Sequence, residues 1–92
     1  MAIPEQVIQR QLDSYNTKSI DDWLSTYAID AQQFELHGGV LATGHCEMRA
    51  RMEARFSEPD LHAKLLHRFV MGNIVVDHEL ITRNFPEGKG TV

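Results

Sequence analysis

The chain has 92 residues, 42% of them hydrophobic and 24% charged, with a net charge of −4. That length makes one domain, 1–92, with a single modest core, and the composition excludes a disordered chain. The acidic balance argues against a nucleic-acid partner, which needs a basic face, and no stretch approaches the roughly 18 apolar residues of a membrane span.

The first element is a helix. Ile3, Val7, Ile8, Leu12 and Tyr15 recur at helical spacing behind Pro4, a residue suited to a first turn. This N-terminal stretch lacks the basic and apolar regions of a signal peptide. NTKS interrupts the helix. Ser19 with Asp22 then resembles a capping box, and Ile20, Trp23, Leu24 and Tyr27 form a second helical stripe.

The period changes at Asp30. In AQQFELHGGVLATG, Phe34 and Leu36 alternate with Gln33, Glu35 and His37, as in a strand; Gly38-Gly39 reads as a turn and VLAT as the returning strand. From His45 to Ser57 the stripe Met48, Met52, Phe56 predicts a third helix, stopped by Pro59. Near its start lies the lone Cys46, which has no internal disulfide partner and leads to the expectation of a reducing, cytoplasmic setting.

LLHRFVMGNIVVDHELI, residues 65–81, folds back on itself at Gly72-Asn73. A two-residue turn sets Met71 against Ile74, Arg68 against Asp77 and His67 against His78. Uninterrupted alternation continues this to Leu66–Glu79 and Leu65–Leu80. One face then carries Ala63, Leu65, His67, Phe69, Val76, His78, Leu80 and Thr82, and is the better core candidate. The order is ααββαββ, an α+β fold, with PEGKGTV left as a tail.

In VIQRQLDSYNTKSIDDWLSTYAIDAQQFEL, in GHCEMRARMEARF and in the hairpin after it, the chain resembles the nuclear transport factor 2-like superfamily, in its SnoaL-like and ketosteroid isomerase-like branch. The resemblance implies a cone: three helices packed on a curved, mainly antiparallel sheet. Family members usually have two more long strands beyond the point matching Val92, so the expected cone is C-terminally truncated. Aligned on the isomerases, Glu35 takes the place of the carboxylate that moves a proton beside a carbonyl, and Gln11 that of an oxyanion-donating tyrosine. Tyr15 lies one helical turn further on. The second oxyanion donor of the isomerases sits on a strand beyond this chain, which speaks against steroid isomerisation.

Two functions stay open at this point. One is a SnoaL-like small-molecule-binding domain, either a binder alone or an isomerase- or cyclase-type enzyme using a pocket carboxylate. Its site residues would be Glu35, His67 and His78, with Gln11, Tyr15, Trp23, Tyr27, Met52, Phe56 and Phe69 lining a pocket for a small hydrophobic ligand. No cofactor or metal is implied. The other is a non-catalytic interaction module, in which Trp23, Tyr27, Met52 and Phe56 are core and the histidines are a structural pair. On either reading the exposed edge and face of the last strand lead us to expect a homo-oligomer, a dimer or tetramer.

Overall fold

The computed structural model describes residues 3–35 and 37–92; Leu36, placed by the alternating pattern on the first strand, lies outside them. The elements run α1 (Pro4–Asn16), α2 (Ile20–Ser25), β1 (Gln32–Phe34), β2 (Val40–Thr43), α3 (Gly44–Phe56), β3 (His62–Met71), β4 (Ile74–Phe85) and β5 (Gly88–Thr91). The three helices fall where the apolar spacing puts them. Ser19 stands at the N-cap of α2, but its hydroxyl bonds the Asp22 carboxylate at 2.8 Å instead of a helix N–H.

All strand pairings are antiparallel, and they form two separate sheets, β1–β2 and β3–β4–β5, where a single curved sheet was expected. The tail reading of PEGKGTV is corrected. Gly88–Thr91 pairs with Thr82–Phe85 of its own chain, and Val92 exchanges both main-chain bonds with Ile81, at 2.9 and 2.8 Å. Glycines carry no strand signal, so only the pairing reveals β5.

The core lies between the helices and one end of the larger sheet. Trp23, Leu24, Ala42, Met48, Met52, Phe56 and Leu61 are buried together, with Tyr15, Ile20, Tyr27, Ala31 and Ile81 packed against them. Phe56 meets Tyr15 edge-on at 5.4 Å and Trp23 at 5.9 Å. Helix α1 is tied to β3 by Asn16, whose amide donates to the Ala63 carbonyl at 2.9 Å and accepts its N–H at 2.7 Å, as a neighbouring strand would. The link into β3 is fixed to β4 by Glu58, which accepts from Arg83 and from the Asn84 N–H at 2.8 Å.

The hairpin register holds from Met71↔Ile74 to His67↔His78, and Arg68 grips Asp77 through two bonds of 2.7 and 2.9 Å. Gly72 takes the turn at φ +60°, a conformation that costs other residues more. Below His67 the expectation fails. A bulge absorbs Leu66, so Leu65 faces Glu79, Lys64 faces Leu80 and Ala63 faces Ile81. Ala63 and Leu65 therefore share a face with Arg68, Val70, Val75, Asp77, Glu79 and Ile81, the face turned to the helices. His67, Phe69, Val76, His78 and Leu80 lie on the other face, and all five are exposed. The face chosen as core is, over this half of the hairpin, the outer one.

Candidate functional site

The structure distributes the expected site residues over three places. Trp23, Met52 and Phe56, expected to line a pocket, fill the core instead. Tyr15 and Tyr27 border that core. The Tyr15 hydroxyl is buried without a hydrogen-bond partner, and burial pushes its phenol above the ordinary value against the pull of Arg55. Tyr27 packs against Trp23 with ring centroids 4.8 Å apart and planes tilted by 59°, and burial raises its phenol too, opposed by Gln33 and helped by Glu79. Gln11 reaches Thr26 Oγ1 at 3.5 Å, a contact between helices.

Glu35 is exposed where β1 turns toward β2; its N–H donates to the Gly39 carbonyl and its carbonyl accepts the Gly38 N–H. That places it on the turn of the smaller sheet, whereas both histidines lie on the larger one. His67 and His78 do lie opposite each other, with rings nearly parallel (13°) and centroids 6.4 Å apart, and Phe69 continues the row at 6.3 Å from His67. All three sit on the exposed outer face, not with the core residues. Among the described residues no group of three His, Cys, Asp or Glu side chains could hold a metal ion, and no helix is long and apolar enough to cross a membrane.

Two other features stand out. The first is the outer face, whose Phe69, Val76 and Leu80 the alternating pattern assigns to the core. Phe69 (62% exposed), Met71 (68%), Ile74 (56%) and Val76 (52%) form an apolar patch at the hairpin end, extended by Leu66 and Leu80. Its polar strand residues are basic or neutral: His62, Lys64 and His67 on β3, Thr82, His78 and Asn84 on β4, and Lys89 on β5, with the Asp60 carboxylate bonded to Asn84 at the base, just before β3. No strand residue on this face is acidic. The acidic strand residues, Asp77 and Glu79, point to the helices.

The second is a groove of about 530 Å³ between α1 and the hairpin, lined by Pro4, Val7, Ile8, Asn73, Ile74 and Val75. Its sheet wall continues along β4 from Val75 through Asp77 to Glu79. Arg68 gives two hydrogen bonds to Asp77 and a third to Gln9, leaving Glu79 outside the ion pair. Burial pushes the Glu79 carboxyl up, Asp77 adds to the rise and Arg68 opposes it. Another recess, of about 490 Å³, lies against α2 and α3 beside Asp21, His45, Cys46 and Arg49.

These features define the class: a small α+β domain of three helices on antiparallel sheets, with one sheet face left uncovered. Among solved structures, it is similar to an uncharacterised cystatin-fold protein from Novosphingobium aromaticivorans, with a TM-score of 0.84 and 24% identity over 90% of this chain and 72% of that one. At that identity the likeness is one of fold. No protein-family model matches the chain, and no curated protein does. The resemblance to the nuclear transport factor 2-like superfamily is therefore corrected: helix and strand order carried it, and the structural likeness found is to a cystatin-fold protein.

Proposed function

We propose that the domain is a non-catalytic, self-associating module, two copies meeting through the outer face of β3–β4–β5. The observation that carries this reading is the apolar patch of Leu66, Phe69, Met71, Ile74, Val76 and Leu80, every one at least 40% exposed. At roughly 100 Å² of exposed surface per side chain, the patch offers roughly 600 Å² a copy, against roughly 800 Å² a partner in a standard interface. The imidazoles and Lys64 supply the remainder. A two-fold arrangement covers the patch with its own copy and leaves no open end.

The free edge of β4 is the lesser candidate. Ile81 bonds Val92, so by alternation Val75, Asp77 and Glu79 direct their main-chain groups to the same edge. Pairing that edge with its own copy about Asp77 sets Asp77 against Asp77, and a two-residue slip sets it against Glu79. Like charges directly opposed disfavour both. The test is sedimentation at micromolar concentration: wild type runs at twice the chain mass and Val76→Asp at the chain mass, still folded by circular dichroism. A folded wild-type monomer refutes the reading.

A second reading, a binder of a small hydrophobic molecule, is favoured by the groove of about 530 Å³, a volume within the usual range for ligand sites. An apolar fluorescent dye should bind there and be lost in Val7→Glu. Equal binding by both proteins removes this reading.

A further inference from the structure

We infer that assembly through the outer face is gated by protonation of the stacked His67–His78 pair, an inference that rests on the two-copy reading. The pair lies midway along the hairpin, between the apolar tip and the basic base of the face. A two-fold axis through the middle of the face brings the pairs of both copies close to each other. Neutral imidazoles stack and bury against Phe69 and Val76 at little cost, whereas imidazolium ions carry a large desolvation cost there.

No carboxylate lies beside the pair to offset that charge. The titratable and charged groups sharing the face are His62 and Lys64 on β3 and Lys89 on β5, each cationic when protonated, and Asp60 at the far base, whose carboxylate accepts from the Asn84 amide at 2.8 Å. The carboxylates nearest in sequence, Asp77 and Glu79, lie on the opposite face, and Asp77 is engaged with Arg68. Helix α1 packs on that opposite face too, through Gln9 to Arg68 and Asn16 to Ala63. Across the interface the second copy presents the same basic set, so protonation adds repulsion to desolvation.

The sign follows from linkage. Burial in the assembly favours neutral imidazole, so association is complete above histidine's ordinary value of about 6.5 and weakens as pH falls below it. Counting one imidazole of each stacked pair, two protons must leave per assembled pair. Each costs about tenfold at pH 5.5 relative to 7.5, about 100-fold in all.

Sedimentation equilibrium at pH 7.5, 6.5 and 5.5, on wild type and on the His67→Gln, His78→Gln double variant, tests this. The expected result is a dissociation constant that rises about 100-fold for wild type and stays within about threefold for the double variant. A wild-type dimer equally tight at pH 5.5, or a double variant with the wild-type profile, overturns the gating and leaves the dimer standing. A wild-type monomer at pH 7.5 overturns the two-copy reading and the gating with it. Should the double variant fail to fold, NMR titration of wild-type His67 and His78 replaces it. Midpoints that fall as protein concentration rises support the gating; midpoints independent of concentration overturn it.

Discussion

Glu58 holds the segment between α3 and β3 against β4, and Glu58→Gln should weaken the fold in a pH-dependent way. Its carboxylate accepts from Arg83 Nε at 2.9 Å, from Arg83 Nη2 at 2.8 Å and from the Asn84 N–H at 2.8 Å. The Arg83 bonds, with the Asn84 N–H, bring its pKa from 4.5 down to about 2 although burial opposes the shift. That fall corresponds to about 3 kcal/mol at about 1.4 kcal/mol per unit. Both side chains keep some contact with water, and screening reduces the figure to about 2 kcal/mol. Because the folded-state value is depressed, the stabilisation is complete above pH 4.5 and is lost as pH falls toward 2. Urea denaturation followed by Trp23 fluorescence, at one fixed protein concentration because association adds stability, measures it at pH 7, 5, 4 and 3. Wild type should exceed Glu58→Gln by about 2 kcal/mol at pH 7, with the gap falling to less than half of that at pH 3. Equal stabilities at pH 7, or a gap that does not shrink with acid, would refute the reasoning.

The same assay checks three more substitutions. Asn16→Ala should cost about 2 kcal/mol, because it strands the Ala63 N–H and carbonyl at the edge of β3; a loss below about 0.5 kcal/mol would mean water replaces the amide. Tyr15→Phe should be neutral or stabilise by about 0.5 kcal/mol, since the hydroxyl it removes has no partner; a clear loss would mean the hydroxyl is bonded in solution. Glu79→Gln should gain on wild type as pH rises past the ordinary carboxylate range, because a raised folded-state value means that ionising Glu79 costs stability; parallel pH profiles would contradict this.

The helices were legible because each has a stripe of three or more large apolar residues, and burial of Trp23, Leu24, Met48, Met52 and Phe56 follows those stripes. The turn at Gly72-Asn73 and the Arg68–Asp77 pair were legible because a two-residue turn leaves little freedom in register. The bulge was not. Leu65 and Leu66 are identical, no glycine marks the irregularity, and unbroken alternation gives an equally apolar pattern. That one extra residue reverses which half of the hairpin faces the helices. With it the histidines moved from an expected site to the outer face, and Glu79 became the half-buried carboxylate. Glu35 misled for another reason: β1 ends at Phe34, so the period-two pattern stops before it.

The bulge also explains how the sheet presents both a core and an outer apolar patch. Near the helices Ala63 and Ile81 face inward, matched across the ladder. Toward the tip the inward positions hold Arg68 and Asp77, while Phe69 and Val76 face out. On β4 the alternation never breaks, so the accommodation lies wholly in β3, at Leu66. Removing that residue should then leave both faces as they are, since Leu65↔Glu79 and His67↔His78 would become successive same-strand alternates without an interruption. Deletion of Leu66 is expected to preserve the fold within about 1 kcal/mol, a small effect for a change inside a strand, and to keep self-association through the outer face. NMR contacts between the α-protons of Leu65 and Glu79 check the register in both proteins. A contact from Leu65 to Leu80 in wild type, or a Leu66 deletion that unfolds the chain, would show that unbroken alternation sets the hairpin after all and that Phe69 and Val76 belong on the face with Ala63.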